Sequence, residues 1–145
     1  MRNWRLSTLA PEILEQLVSF DEGMQRELAF RFAQAALAAV PVDDAGVDRA
    51  LDLLRSGAFD DGAFRGELQA LVDVLDQQQW DYEARIDAGA TDLADPRGSR
   101  GSRARAVSAL VFALHQDAFT AATESAYEAD AVCPGLLRTV FEGHA

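Results

Sequence analysis

The chain contains no lysine and only one cysteine, and each scarcity excludes a class of site. Without lysine there is no Lys-Ser or Lys-Thr pair of the kind that closes a phosphate-binding loop. The lone cysteine, Cys133, cannot form an internal disulfide and leaves no cysteine-rich zinc pattern, which fits a reducing compartment. Because no histidine stands near it in the sequence, we interpret Cys133 as a buried or idle thiol.

Long apolar runs are also missing. The longest ones, AQAALAAV and VSALVFAL, are too short to cross a bilayer. The first twenty residues lack the unbroken apolar region and the small-residue cleavage site of a secretory signal. We therefore expect a cytoplasmic protein with no membrane contact. The hydrophobic content of 49% is enough for a core, and we expect residues 1–145 to form a single domain.

Positive charge is scarce as well, because 13 arginines stand against 24 acidic residues and the formal net charge is -11. This balance argues against nucleic-acid binding, since a duplex would be repelled. The excess of negative charge favours a basic protein partner, or its only effect is to keep the protein soluble. Arginine and alanine both have GC-rich codons, so their abundance indicates a bacterium with a GC-rich genome.

Helical spacing of apolar residues recurs along almost the whole chain, and no alternating pattern predicts a strand. We predict an all-α fold, an irregular bundle of six or seven helices. Helix starts are expected at Pro11, at a capping box from Ser19 to Glu22, at Asp43 or Asp44, at Asp60 or Asp61, at Ala104, at Asp117 and at Pro134.

The fourth predicted helix, which ends near Asp87 and Gly89, has two distinct faces. Its length allows a kink near residues 77–79. The face expected to contact the core carries Phe64, Leu68, Leu71, Leu75, Tyr82 and Ile86. The other face, which we call the acidic stripe, carries Gln69, Asp73, Asp76, Trp80, Glu83 and Asp87.

Trp80 and the four carboxylates of the acidic stripe are the candidate partner-binding residues. Aromatic side chains supply much of the binding energy at protein interfaces. Alternatively, the helix is buried on two sides and Trp80 is a second core contact. The acidic neighbours favour partial exposure of Trp80, because unpaired aspartate and glutamate are seldom fully buried.

The segment ADPRGSRGSRARAV predicts a flexible loop at about 94–102, because it contains Pro96, Gly98 and Gly101. It leads into the positive end of the next helix, where an anion would be favoured. Its glycines do not match the phosphate-binding pattern, so a solvated hinge that pairs with acidic faces is the favoured interpretation. An anion or partner contact is the alternative for Arg97, Arg100, Arg103 and Arg105.

No pattern in the sequence predicts a catalytic residue, a metal site or a cofactor, so we expect a non-enzymatic protein. Glu124 and Glu128 lie four residues apart, but no Glu-x-x-His motif accompanies them, and a solvated helix face is predicted. We expect His115 to hydrogen-bond carbonyls at a helix end. The charges at positions 22, 26, 27 and 31 predict ion pairs within one helix.

The stretch LAPEILEQLVSFDEGMQRELAFRFAQAAL, followed by VDRALDLLRSG, resembles small acidic helical proteins of GC-rich actinobacteria. Most of these have no assigned activity, and some are immunity-protein-like. The resemblance covers roughly the first 60 residues, rests on helix-forming composition, and implies a protein that binds and blocks a toxin. It assigns a role to no individual residue.

The leading hypothesis is a binding protein of immunity or inhibitor type that covers a basic partner through the acidic stripe. One alternative is a homo-oligomeric scaffold, in which the arginine loop of one subunit meets the acidic stripe of another. Another is a helical bundle that binds a small ligand. That alternative requires a polar cluster facing the core, and the sequence alone indicates none.

Overall fold

The computed structural model describes residues 5–59, 62–89 and 99–143. For residues 99–101 it describes the backbone and not the side chains. These segments are helical and contain no strand, so the predicted all-α fold is confirmed. They form eight helices rather than six or seven: α1 (Leu6–Leu9), α2 (Pro11–Ser19), α3 (Glu22–Ala39), α4 (Ala45–Arg55), α5 (Ala63–Asp87), α6 (Ser99–Ala113), α7 (Ala118–Val132) and α8 (Leu136–Gly143). No helix in these segments has both the length and the hydropathy needed to cross a membrane.

Helix starts follow the local capping chemistry. The Asp44 side chain accepts hydrogen bonds from the backbone N–H of Gly46 and Val47, and Asp117 caps α7 in the same way, as predicted. Asp60 and Asp61 lie outside the described residues, and Gly62 stands at the N-cap of α5.

The predicted capping box at Ser19 is wrong. Ser19 is the last residue of α2, and its hydroxyl donates to the carbonyl of Gln16. Asp21 caps α3 instead, accepting from the Met24 N–H at 2.8 Å. Aspartate two residues further on supplies a stronger acceptor than the serine hydroxyl, because it is ionised.

Glycine ends two of the helices where the sequence predicts. Gly57 follows α4 with φ 85°, and Gly89 follows α5 with φ 97°, a conformation that glycine adopts without strain. Between its ends α5 runs uninterrupted over 25 residues, without the break that its length allowed near residues 77–79.

The start of α6 differs from the expected loop. Residues 99–102, assigned above to a flexible segment, form the first turn of α6, which begins at Ser99 rather than Ala104. Residues 94–98 of the expected loop lie outside the described segments. Ala104 and Ala106 are fully buried, so packing against neighbouring helices favours helix in this segment despite Gly101.

The core is centred on α6 and α7, which pack against each other; α3 contacts both, and α5 packs on α6. Alanine dominates these contacts and lets the helix axes approach closely. Larger side chains, among them Leu28, Phe32 and Leu110, fill the space between the helices. The buried alanines of the two central helices are Ala104, Ala106, Ala109, Ala113, Ala118, Ala121, Ala122, Ala126 and Ala129.

Only the first half of α5 contributes to the core. Phe64, Leu68 and Leu75 are buried as expected. Tyr82 is half-buried and Ile86 is 43% exposed, so the predicted apolar face is wrong beyond Leu75. Most residues of the outer half of α5, residues 77–87, are exposed.

Candidate functional site

Three helices direct polar side chains into a common cleft of about 540 Å³, which we call the charged cleft. On each helix these residues follow one another at intervals of three, four or seven, which keeps them on one face. The polar residues are Arg65, Gln69 and Asp76 from α5, Arg105 and Ser108 from α6, and Thr120, Glu124 and Glu128 from α7.

Glu128 is the innermost charge of the charged cleft, with its side chain 2% exposed. It accepts hydrogen bonds from Arg5 Nη2 at 3.0 Å and from Arg105 Nη1 at 3.2 Å. Arg105 also donates to both carboxylate oxygens of Asp76, at 3.1 and 2.9 Å, while Arg5 pairs with Glu124. The five side chains therefore alternate in charge, and they tie α5, α6 and α7 to the residue that precedes α1.

Arg5 is held by aromatic rings as well as by carboxylates. Its guanidinium lies 4.3 Å from the centre of the Tyr127 ring and 5.6 Å from that of Phe112. Burial by itself lowers the pKa of Arg5, but the hydrogen bonds to Glu124 and Glu128 outweigh it and raise the pKa above its ordinary value. Arg5 is therefore a permanent cation at the rim of the cleft.

The opposite end of the charged cleft is formed by Arg65, His115 and Thr120. Arg65 Nε donates to the Val111 carbonyl at 2.8 Å, near the C-terminal end of α6. His115 Nδ1 accepts from the Asp117 N–H at 2.9 Å, so in the neutral ring Nε2 carries the proton. His115 can therefore offer an N–H donor to the cleft.

The predicted solvated face at Glu124 and Glu128 is wrong. The two side chains are only 15% and 2% exposed and are paired with arginine. A signal for their burial was present in the sequence, because α7 has small or apolar residues on almost every side. A helix of that composition lies inside a bundle, and its few charged residues must be buried with partners.

The predictions for Arg26, Arg31 and His115 had mixed outcomes. Arg31 pairs with Glu27 four residues away, as predicted. Arg26 instead donates to the backbone carbonyls of His115 and Gln116. Arg26 thus has the role expected of His115 and stabilises the end of α6 from the neighbouring helix α3.

Trp80 is 61% exposed, so it is not a second core contact. Asp73, Glu83 and Asp87 are exposed on the same face of α5. Asp76, the fifth candidate, lies on this face too, but it is half-buried and bound to Arg105. The acidic stripe therefore begins in the wall of the charged cleft and continues outward, with Trp80 one turn beyond Asp76.

The four candidate arginines do not form one cluster in the part of the chain that the structure describes. Arg97 and the Arg100 side chain lie outside it. Arg103 and Arg105 are separated by about 200° around α6. Arg103 Nε is buried and has no hydrogen-bond partner among the described residues, whereas Arg105 is engaged inside the charged cleft.

Cys133, interpreted above as a buried or idle thiol, is exposed at the end of α7, so the buried alternative is wrong. Within the described segments no group of three or more histidine, cysteine, aspartate and glutamate side chains is arranged to hold a metal ion.

No family model matches the chain, and comparisons with curated proteins and with solved structures give no match either. The resemblance to acidic actinobacterial proteins stays a prediction.

Proposed function

We propose that this protein is a non-enzymatic binding module of inhibitor or immunity type, which contacts a basic protein partner through the outer half of α5. The observation that carries the proposal is the exposure of Trp80, at 61%, between carboxylates on a helix that extends past the core. A tryptophan is costly to leave in water and is a frequent centre of protein interfaces.

The charge around Trp80 indicates which kind of partner would bind. Asp73, Glu83 and Asp87 surround Trp80, and the chain as a whole carries a formal charge of -11. Carboxylates around an aromatic anchor attract a cationic surface at long range, and the aromatic contact then slows dissociation. A basic enzyme, such as a nuclease toxin, is the class of partner that this arrangement suits.

The rigidity of the surface supports the same proposal. Gln69 donates to Asp73 at 3.2 Å, and Gln79 donates to Glu83 at 2.9 Å, each pair four residues apart on α5. These bonds restrict the carboxylates before binding, so less conformational entropy is lost when a partner docks.

The test compares the wild-type protein with Trp80→Ala and Val74→Ala as immobilised baits in lysate of the source cell. Val74 is the matched control, because it is 52% exposed on a different face of the same helix. We expect a basic protein to be retained at moderate salt by the wild type and by Val74→Ala, and to be lost with Trp80→Ala. Equal retention by all three baits would contradict the proposed role of Trp80.

Light scattering over a concentration series separates this function from a homo-oligomeric scaffold. We expect the wild-type protein to keep the mass of one chain at all concentrations. A concentration-dependent mass that Trp80→Ala abolishes would favour the scaffold, with a second copy as the partner of the acidic stripe.

A further inference from the structure

One buried hydroxyl in the charged cleft is left without a partner by the described residues. Ser108 of α6 is only 5% exposed and lines the cleft, and its hydroxyl makes no hydrogen bond with them. The buried hydroxyls of α7 behave differently, since Thr123 and Ser125 each donate to a carbonyl of the preceding turn. A buried polar group without a partner is costly, so the Ser108 hydroxyl points to a ligand in the cleft.

Glu124 contributes a second free group to the charged cleft. Both hydrogen bonds that Arg5 donates to Glu124 end at Oε2, so Oε1 accepts none from the described residues. Glu128 pairs with Arg105, and consecutive helices joined by a short connection run antiparallel. Glu124 stands one turn before Glu128 on α7, and Ser108 three residues beyond Arg105 on α6. The two free oxygens therefore lie at the same level of the cleft.

The charges of the charged cleft favour a cation over an anion. Among the described residues, four carboxylates and three arginines surround it, and His115 adds no charge while its Nδ1 accepts the Asp117 N–H. An anion would be repelled by the free oxygen of Glu124, which attracts a cation. The arginines are Arg5, Arg65 and Arg105, and the carboxylates are Asp76, Glu124, Glu128 and Asp117, which accepts the Thr120 hydroxyl.

The geometry of the free acceptors favours an ammonium over a guanidinium group. A guanidinium binds a carboxylate best through two parallel hydrogen bonds, which require both oxygens. Glu124 has only Oε1 free, and Arg105 already contacts both oxygens of Asp76. An ammonium group is a compact charge with three donors, so one carboxylate oxygen and one hydroxyl can bind it.

We propose that the charged cleft receives the ammonium group of a lysine side chain from the basic partner, an inference that rests on the proposed function. The ammonium group donates to Glu124 Oε1 and to the Ser108 hydroxyl. The alkyl stem of the lysine packs against Val72 and Phe112, which line the same cleft. The volume of about 540 Å³ lies within the size range of ligand sites and has room for one side chain.

The acidic stripe leads directly to this position. Asp76 belongs both to the stripe and to the wall of the charged cleft, and Trp80 lies one turn, about 6 Å, beyond it on α5. A partner that contacts Trp80 is therefore close enough to extend a long, flexible lysine side chain into the cleft.

The test titrates the full chain with n-butylammonium, an analogue of the lysine side chain, at constant ionic strength, and follows the backbone amide NMR signals. We expect saturable shifts at Ser108 and Glu124, with a Kd in the millimolar range. 1-Butanol has the same length without the charge and should bind at least about tenfold more weakly. n-Butylguanidinium should also bind more weakly. The proposal is overturned if n-butylammonium gives no saturable shift, or if either comparison compound binds as well.

Two buried serines form a matched pair of variants. Ser108→Ala removes the hydroxyl in the cleft, and we expect it to weaken n-butylammonium binding at least about fivefold. Ser125→Ala removes a hydroxyl that is bonded to its own helix and should leave binding unchanged. Neither variant changes the net charge, and alanine favours helix, so both should fold. Equal loss of binding in the two variants overturns the proposed site.

The ammonium site and the partner surface can fail separately. Trp80→Ala leaves the lining of the cleft intact, so we expect it to bind n-butylammonium as the wild type does. If the wild-type bait retains no basic protein although n-butylammonium binds, the proposed function fails and the ammonium site stands. We expect the retained partner to dissociate at least about fivefold faster from Ser108→Ala than from Ser125→Ala. Equal dissociation overturns the assignment to a partner lysine and leaves a free alkylamine as the ligand.

Discussion

At the scale of single residues, the molecule places its charges in two different environments. Glu128 is buried between Arg5 and Arg105, while Glu27 forms an exposed pair with Arg31. The first carboxylate has lost its water and depends on its two partners, whereas the second exchanges freely with solvent. The same amino acid therefore contributes very differently to stability at the two positions.

Replacing the buried carboxylate tests this difference. We expect Glu128→Gln to lower the free energy of unfolding by about 3 kcal/mol, because it removes the buried charge to which both Arg5 and Arg105 donate hydrogen bonds. Glu27→Gln is the control and should cost less than about 1 kcal/mol. Urea denaturation followed by circular dichroism measures both. A loss below 1 kcal/mol for Glu128→Gln would contradict a structural role for the network.

Trp80 gives the complementary residue-scale prediction. Because its side chain is exposed, Trp80→Ala should change the free energy of unfolding by no more than about 0.5 kcal/mol. Phe32, of similar chemistry but fully buried, serves as the control, and Phe32→Ala should cost about 3–5 kcal/mol. Thermal melting distinguishes the two. A large loss of melting temperature in Trp80→Ala would remove it from the proposed interface.

At the scale of helices, the sequence predicts those elements whose ends carry strong local signals. Pro11, Asp44 and Asp117 mark the starts of α2, α4 and α7, and Gly57 marks the end of α4. The four residues of α1 are too few to show a period, so this helix was missed. The apolar residues in the outer half of α5 have the right spacing for a core face. Whether other helices cover that face depends on tertiary packing, which the spacing of residues along one helix does not determine.

The candidate site, like the helices, could be predicted from the sequence only where the signal lies within one helix. Helical spacing alone predicts that Trp80 shares a face with Asp73, Glu83 and Asp87. The charged cleft was not predicted, because it joins residues that are distant in sequence, such as Arg5 and Glu128. Its polar stripes become one site only when the packing order of α5, α6 and α7 is known.

The N-terminus of α4 offers a matched pair for testing a helix signal. Asp44 caps the helix through two backbone N–H groups, whereas its neighbour Asp43 is exposed. We expect Asp44→Ala to lower the free energy of unfolding by about 1 kcal/mol, and Asp43→Ala to change it by less than about 0.5 kcal/mol. Equal effects, measured by urea denaturation, would indicate that net charge rather than capping controls stability here.

At the scale of the whole molecule, net charge and local charge have separate consequences. The formal charge of -11 acts on any cation at long range, but at physiological salt the field is screened beyond about 8 Å. Steering of a partner to one face therefore depends on the carboxylates nearest to that face. In this protein the acidic stripe can steer a partner to one face, because its exposed carboxylates surround the exposed Trp80.

Two triple variants of equal net charge separate the local effect from the global one. The first neutralises the stripe with Asp73→Asn, Glu83→Gln and Asp87→Asn; the second neutralises exposed carboxylates elsewhere with Glu15→Gln, Asp43→Asn and Glu67→Gln. Stopped-flow association with the basic protein that the wild type retains should be at least about tenfold slower for the first variant, with a flatter dependence on ionic strength. Dissociation should change little, since Trp80 is intact in both. The two variants have the same net charge, so only the field near the stripe distinguishes them. If both slow the association rate equally, the partner responds to total charge and the stripe does not steer it.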